Sequence, residues 1–307
     1  MRGRGPSLSI GLALACGAVV SAAEPTVGGS PAAGSPAGDN GFAPPPLPGW
    51  ACTGRLGLFT SAVTTANADT SRDSEVNTSA RSTSFIGTLD GTLWWRGETT
   101  DEVEQRLQAR YGMSQTGDSE WTETSDFIEY DGVYRHRYAL RRALYGSLTA
   151  MTAFIGPDPW NAPFDPLKAA LSAGHSWLYD NLMPLSDRLE LRLGLRVQKT
   201  WGRGLDPYLR QTETGPEAFV RYERKQTAEL SWWAQADLFT EFNDPGHLEA
   251  LATAALQLQL TRIITVDLRL RVYYEQRPDD LPDNLPADGY DRIGLRGETL
   301  IGATINW

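Results

Sequence analysis

The sequence predicts an all-β fold, an antiparallel up-and-down transmembrane β-barrel of about 12 strands. Apolar and polar residues alternate at period two over long stretches, which indicates strands with one apolar and one polar face. The polar face is densely charged. After residue 23 no segment reaches the roughly eighteen consecutive apolar residues of a membrane-spanning helix. A sheet crosses a bilayer only as a closed barrel, because a lipid-exposed edge would leave backbone groups unpaired.

The end of the chain shows this pattern most clearly. Apolar and polar residues alternate through most of residues 266–275 and 292–307, an acidic loop separates the two stretches, and Trp307 is the terminal aromatic residue. This combination is typical of the closing hairpin of a bacterial outer-membrane barrel. We therefore expect an outer-membrane location, contact with outer-membrane lipids, and recognition by the barrel-assembly machinery through the strand that ends in Trp307.

The remaining strands are predicted from the same alternation and from the turn residues between them. They are expected near 54–65, 83–96, 101–114, 123–136, 141–155, 167–179, 187–200, 216–225, 227–242 and 247–260. With both termini in the periplasm, the longer connections fall on the outer side, as in bacterial barrels. The strand near 216–225 has the weakest pattern. Without it the barrel would have ten strands and a long inner connection, so twelve strands are preferred.

The first 49 residues are predicted to lie outside the barrel. Residues 1–23 have the basic start, the apolar run and the small residues of a signal peptide, with cleavage after Ala23. The alternative is a lipoprotein acylated at Cys16. Residues 24–49 form a Pro/Gly/Ala-rich linker that is too poor in large apolar residues to fold and is expected to be disordered. The barrel is assigned to residues 50–307.

Charge and cysteine content exclude several classes of function. Cleavage removes Arg2 and Arg4 from 28 basic residues and nothing from 38 acidic residues, so the net charge changes from −10 to −12. This acidic balance argues against nucleic-acid binding. Cys52 is then the only cysteine, which excludes an internal disulfide and a cysteine metal cluster. We expect no metal and no cofactor.

The alternation also assigns side chains to the two faces of the barrel. The predicted lumen-lining residues are Glu102, Glu104, Arg106, Arg110, Glu190, Arg192, Arg196, Asp237, Asp267, Arg269, Arg271, Glu275, Arg292, Arg296 and Glu298. The predicted aromatic girdle comprises Trp95, Tyr134, Trp177, Tyr179, Trp232 and Trp307. The charged set could line a narrow pore with a slight preference for anions, or could fill the lumen as a salt-bridge network.

One segment resembles a known group of proteins. The stretch Tyr111-Gly112-Met113-Ser114-Gln115, followed by Trp121-Thr122-Glu123-Thr124-Ser125-Asp126, is similar to outer-membrane barrel families of unknown function. A related group is described as salt-stress-induced outer-membrane barrels. The resemblance extends loosely from residue 50 to residue 307. It implies the barrel fold and no catalytic residues.

A search for catalytic groups supports a non-enzymatic function. His175 and Ser176 are adjacent in a predicted strand, so their side chains point to opposite faces and cannot act as base and nucleophile. The acidic residues near Asp279 and Asp280 lack the ligand spacing of known calcium loops. Two functions remain open: a narrow passive pore for small solutes, which is the working hypothesis, and a non-conducting envelope protein that stabilises the membrane or binds partners through its outer loops. An outer-membrane hydrolase is a distant third.

Overall fold

A closed β-barrel of twelve antiparallel strands forms the part of the chain that the structure describes. The structure is a computed structural model, and it describes residues 48–66, 83–98, 100–114, 122–154, 163–180, 187–203, 211–277 and 290–306. Each strand pairs with its neighbours in sequence, and β1 pairs with β12 to close the barrel. The predicted fold class and strand number are therefore confirmed. Among the described residues we find no α-helix with the length and apolarity that crossing a membrane requires.

The strand bounds agree closely with the alternation in the sequence. The strands are β1 Gly49–Ala66, β2 Thr83–Arg96, β3 Asp101–Ser114, β4 Thr122–Ala139, β5 Arg142–Thr152, β6 Leu167–Asp180, β7 Asp187–Trp201, β8 Thr212–Lys225, β9 Leu230–Thr240, β10 Leu248–Gln259, β11 Ile264–Glu275 and β12 Ile293–Asn306.

Two strands are longer at their start than predicted. The weakly patterned eighth strand is present and begins at Thr212 rather than near residue 216, because residues 212–215 continue the pairing with β7. The first strand begins at Gly49, inside the predicted linker. Trp50 pairs there with Trp95 across the β1–β2 ladder, and backbone pairing and ring contact extend the strand beyond its alternating part.

Several predictions fall outside the described residues. These are the signal peptide, the alternative lipidation of Cys16, the linker up to residue 47, the acidic loop around Asp279 and Asp280, and Trp307.

The connections differ in length at the two ends of the barrel. At one end, here called the short-turn end, the connections are 97–100, 140–141, 181–186, 226–229 and 260–263. At the other end, the long-loop end, they are 67–82, 115–121, 153–166, 202–211, 241–247 and 276–292. The longest connection at the short-turn end is thus shorter than any at the long-loop end. The alternation of short and long connections along the chain agrees with the prediction from the sequence.

Short side chains shape the described tight turns. The Thr261 hydroxyl accepts hydrogen bonds from the backbone N–H groups of Ile263 and Ile264, at 3.2 and 2.9 Å. At the long-loop end, the Asp244 carboxylate accepts from the Gly246 N–H at 3.1 Å. Such local bonds favour turns over continued strand. The second bond lies within the tight turn at residues 243–246.

The outer face of the barrel is apolar. Leucine and isoleucine side chains at alternate positions are about half exposed there, as at Leu193, Leu195 and Ile301, with 52%, 55% and 50% exposure. The inner face contains the charged residues and a small apolar cluster of Phe59, Ile86 and Leu300. The barrel is therefore apolar outside and polar inside, the reverse of a water-soluble sheet protein.

Aromatic rings cluster on the outer face at the short-turn end. Trp50 and Trp95 approach to 6.2 Å between ring centroids, and Tyr222 lies 5.0 Å from Trp232. Tyr134 is exposed at the same end of β4. The other described members of the predicted girdle are Trp177 and Tyr179, near the short-turn end of β6.

Candidate functional site

The interior of the barrel holds the charged residues that the alternation predicted. Their strands turn them inward because residues two apart along a strand share a face. All of the predicted lumen-lining residues except Arg292 belong to strands and lie on this inner face. Most of them fall into the three groups described below, and Glu102 lies apart from these. Arg292 is exposed one residue before β12, because the strand begins only at Ile293.

One group crosses the lumen near the short-turn end. We call it the ion-pair layer; it comprises Glu104, Arg106, Arg135, Arg188, Glu190 and Glu223. Its centre is Arg135 on β4, whose guanidinium donates two hydrogen bonds of 2.9 Å to Glu190 and one of 2.9 Å to Glu104. Arg135 is only 2% exposed. Bidentate pairing of this kind is the strongest form of arginine–carboxylate contact.

The contacts of the ion-pair layer join strands on opposite sides of the barrel. Arg106 on β3 lies 3.2 Å from Glu223 on β8, five strands away in a barrel of twelve. Arg188 on β7 lies 3.5 Å from Glu104 on β3, four strands away. Side chains so placed can meet only through the lumen. The layer therefore occupies the lumen across almost its full width at this height.

A second group fills the side of the lumen next to β1 and β12. Arg55 lies 2.9 Å from Asp90 and 2.9 Å from Asp267, joining β1 to β2 and β11. Arg269 reaches the same two carboxylates at 3.9 and 3.7 Å. Arg110 on β3 pairs with Glu298 on β12 at 2.9 Å. The opposite charges neutralise one another.

Further basic side chains complete this second group. Arg296 also contacts Glu298, and Arg271 lies over the Phe127 ring at 5.8 Å. The cavity next to them measures only about 30 Å³, roughly the volume of one water molecule. Only a small cavity thus lies beside this group of side chains.

The third group lines a cavity of about 680 Å³ in the long-loop half of the barrel. Lys168 on β6 lies 2.8 Å from Glu249 on β10, across the cavity. Arg196 lies 2.5 Å from Asp237 and 2.8 Å from Glu217. The cavity lining extends from Arg106 and Arg192 to residues 243–247 at the long-loop end. Because Arg106 belongs to both, the ion-pair layer forms the floor of the cavity.

His247 bridges two carboxylates at the upper edge of this cavity. Its Nδ1 lies 2.8 Å from Glu241, and its Nε2 lies 3.3 Å from Glu275. It precedes β10 and therefore lies in a connection rather than in a strand. Burial disfavours the charged imidazolium, but the hydrogen bonds and charges of Glu275 and Glu241 outweigh this effect and raise the pKa of His247 to about 9. His247 is therefore a cation at neutral pH.

The charge of the interior differs from the expected anion-attracting wall. The arginines on β7, β11 and β12 are matched by carboxylates from other strands, as the pairs of Arg196 and Arg269 show. In the long-loop cavity, carboxylates outnumber basic residues. The slight anion preference suggested by the arginine-rich strands is therefore not supported. The sequence of one strand shows its own arginines but not the carboxylates of other strands that face them across the lumen.

The remaining predicted polar groups lie away from these clusters. Glu102 pairs with Arg96 and Arg137 at the short-turn end, at 2.6 and 3.0 Å. His175 lies on the outer face with its ring 4.3 Å from that of Trp177, whereas the Ser176 side chain is fully buried. This separation of His175 and Ser176 agrees with the prediction from alternation. Cys52 is exposed.

Several important interior residues were not predicted. Arg135, Lys168, Glu217 and Glu249 are the main ones. Arg135 could have been found, because it has the same parity along β4 as the acidic residues Glu129 and Asp131. No group of three or more histidine, cysteine or acidic residues among the described residues is arranged to hold a metal ion.

Comparisons with known proteins find similarity in the fold. No protein-family model matches the sequence, and no curated protein matches it. An outer-membrane channel from Pseudomonas putida F1 is 10% identical, with 87% of this chain and 98% of that chain covered and a TM-score of 0.45. The NanC porin is 10% identical, with coverage of 80% and 98% and a TM-score of 0.40. An anion-selective porin from Comamonas acidovorans is 10% identical, with coverage of 84% and 99% and a TM-score of 0.34.

Proposed function

We propose that this protein is a bacterial outer-membrane β-barrel that does not conduct passively and that binds small solutes in the cavity of its long-loop half. The observation that carries the proposal is the ion-pair layer, because its contacts join β3 to β7 and β8 through the lumen. Of the two functions that the sequence left open, this observation favours the non-conducting one. Passive flow would require ion pairs such as Arg135–Glu190 to separate in a buried environment.

The outer-membrane location is supported by the two faces of the barrel. An exposed apolar outer face with aromatic rings at the short-turn end is what a lipid bilayer with two interfaces requires. The predicted signal peptide would deliver the chain to the periplasm. With the short-turn end in the periplasm, the long-loop cavity faces the cell exterior.

Conductance of the refolded mature protein in a planar bilayer tests the closed lumen. We expect no stable conductance steps from the wild type. The double variant Arg106→Ser/Glu223→Ser removes the contact that reaches furthest across the lumen, so we expect it to produce small steps. The matched control, Lys168→Ser/Glu249→Ser, also removes one opposite pair but leaves the ion-pair layer intact, and it should remain silent.

Stable steps from the wild type would overturn the closed lumen and restore the passive pore. Equal conductance from the two double variants would show that the ion-pair layer is not the barrier.

A further inference from the structure

We propose that the long-loop cavity is a binding site for a small organic cation with two or more separated ammonium groups, a diamine or polyamine. The inference rests on the proposed function, since it names the class of solute that the cavity takes. Three features of the cavity support it: an excess of carboxylates, a buried acceptor without a donor, and the distribution of the acidic groups around the cavity wall.

The first feature is charge. Among the described lining residues there are nine carboxylates, five lysine and arginine side chains, and His247. The basic residues nearest the long-loop end are already engaged: Lys168 with Glu249, and Arg196 with Asp237 and Glu217. The cavity therefore has a negative balance that a bound cation would offset. Low-dielectric walls strengthen this attraction relative to open water.

The second feature is Gln198 on β7. It is 2% exposed and is one of the residues that line the cavity. The amide nitrogen donates to Glu213 at 2.5 Å and to Glu249 at 3.1 Å, which fixes the orientation of the group. The amide oxygen has no hydrogen-bond partner. A buried acceptor without a donor is costly, so this oxygen is best satisfied by a ligand that donates.

Glu213 strengthens this part of the site. Its carboxylate accepts from Gln198, and among the described residues no basic side chain lies within ion-pair distance of it; Lys168, which pairs with Glu249, acts on it from further away. An ammonium group beside Gln198 and Glu213 would gain a neutral acceptor and a charged one. Both are acceptors that a primary ammonium, which has three donors, can use at once.

The third feature separates an organic cation from a metal ion. A metal ion needs several ligands on one point, and no such group of side chains exists among the described residues. The carboxylates are instead distributed around a volume of about 680 Å³, within the range of cavities that hold organic ligands. Distributed acidic groups fit a ligand whose positive charges are separated by a flexible chain.

Calorimetric titration of the full mature protein, refolded in detergent micelles, tests the inference. The probes are spermidine and 1,4-diaminobutane, with butylamine as the singly charged comparison and succinate as the anion. We expect the two multiply charged amines to bind at least about tenfold more tightly than butylamine, because each further paired ammonium adds a charge-assisted hydrogen bond. Succinate should give no binding.

Two variants locate the site. Glu213→Gln removes one carboxylate and keeps the size of the side chain, and Gln198→Leu removes the unpaired oxygen. Each should weaken spermidine binding about tenfold while the folded β-sheet signal is retained. The matched control, Glu98→Gln, changes the net charge equally at an exposed position of the short-turn end and should leave the affinity unchanged.

Absence of binding heat with folded wild-type protein would overturn the inference, as would equal weakening by Glu98→Gln and Glu213→Gln, which would mean attraction to overall charge alone. These results are separate from conductance. If the barrel does not conduct and binds no amine, the proposal of a closed lumen stands and the proposal of an amine ligand is wrong. If the barrel conducts and binds spermidine, the closed lumen is wrong and the amine ligand stands.

Discussion

Replacing Arg135 by methionine removes the guanidinium between Glu104 and Glu190 and keeps a long, flexible side chain. The two carboxylates would then face each other across the space that the guanidinium occupied. Both are buried in the wild type, at 2% exposure each. The substitution therefore tests how much the ion-pair layer contributes to the free energy of unfolding of the barrel.

The magnitude follows from the contacts. Arg135 makes three hydrogen bonds of 2.9 Å to charged oxygens, each contributing about 1.5–3 kcal/mol. Their sum is an upper bound, because Glu104 retains Arg106 and Arg188 and Glu190 retains Arg192. Removing one partner of a buried pair typically costs about 3–5 kcal/mol. We expect a loss of unfolding free energy in this range.

Reversible urea unfolding in phospholipid vesicles, followed by tryptophan fluorescence, measures this loss. Arg142→Met is the matched control, since Arg142 is exposed at the short-turn end, and it should change the unfolding free energy by less than about 0.5 kcal/mol. Adding Glu190→Gln to Arg135→Met should recover part of the loss, because one uncompensated charge is then removed. An Arg135→Met protein within about 1 kcal/mol of the wild type would refute the reasoning.

Three further predictions address other parts of the barrel. Leu195→Arg, at an exposed mid-strand position of the outer face, should lower the unfolding free energy in vesicles by about 2–4 kcal/mol, and Ile305→Arg near a strand end by about 0–1; equal effects would contradict a bilayer around this face. Gly302→Ala would place a methyl carbon against the backbone oxygen of Leu58 in β1, so the free energy of unfolding should fall by about 1–3 kcal/mol, whereas Gly91→Ala, with open space around it, should have little effect. The pKa of His247, about 9, exceeds the ordinary value of about 6.5, so its stabilisation is complete below pH ~6.5 and is lost as pH rises through 9. The difference in unfolding free energy between the wild type and His247→Gln should therefore shrink between pH 6.5 and pH 10, and a constant difference would count against the ionised bridge.

The alternation of residues was enough to predict the barrel and most of its strands. On β3 and β7, most residues of one parity are apolar and most of the other parity are charged or polar, and the side-chain period of a strand turns such a pattern directly into an outer and an inner face. The alternating short and long connections then fixed the parity of the strands. Boundaries were less certain where the alternation fades, as at Gly49 and Thr212, because cross-strand pairing rather than pattern extends those strands.

The sequence by itself determined that charged side chains of both signs point into a closed barrel, since that depends only on neighbours within each strand. It did not determine whether they leave a pore. The closed lumen that we propose rests on the tertiary structure, which brings Arg106 to Glu223 and Arg135 to Glu190 from strands far apart in the chain. The environment of Gln198 in the cavity also depends on the tertiary structure. Glu213 on β8 and Glu249 on β10 both accept from its amide nitrogen, and its amide oxygen has no donor. Strand register and barrel closure determine which side chains come into contact across the lumen, and both depend on the pairing of all twelve strands.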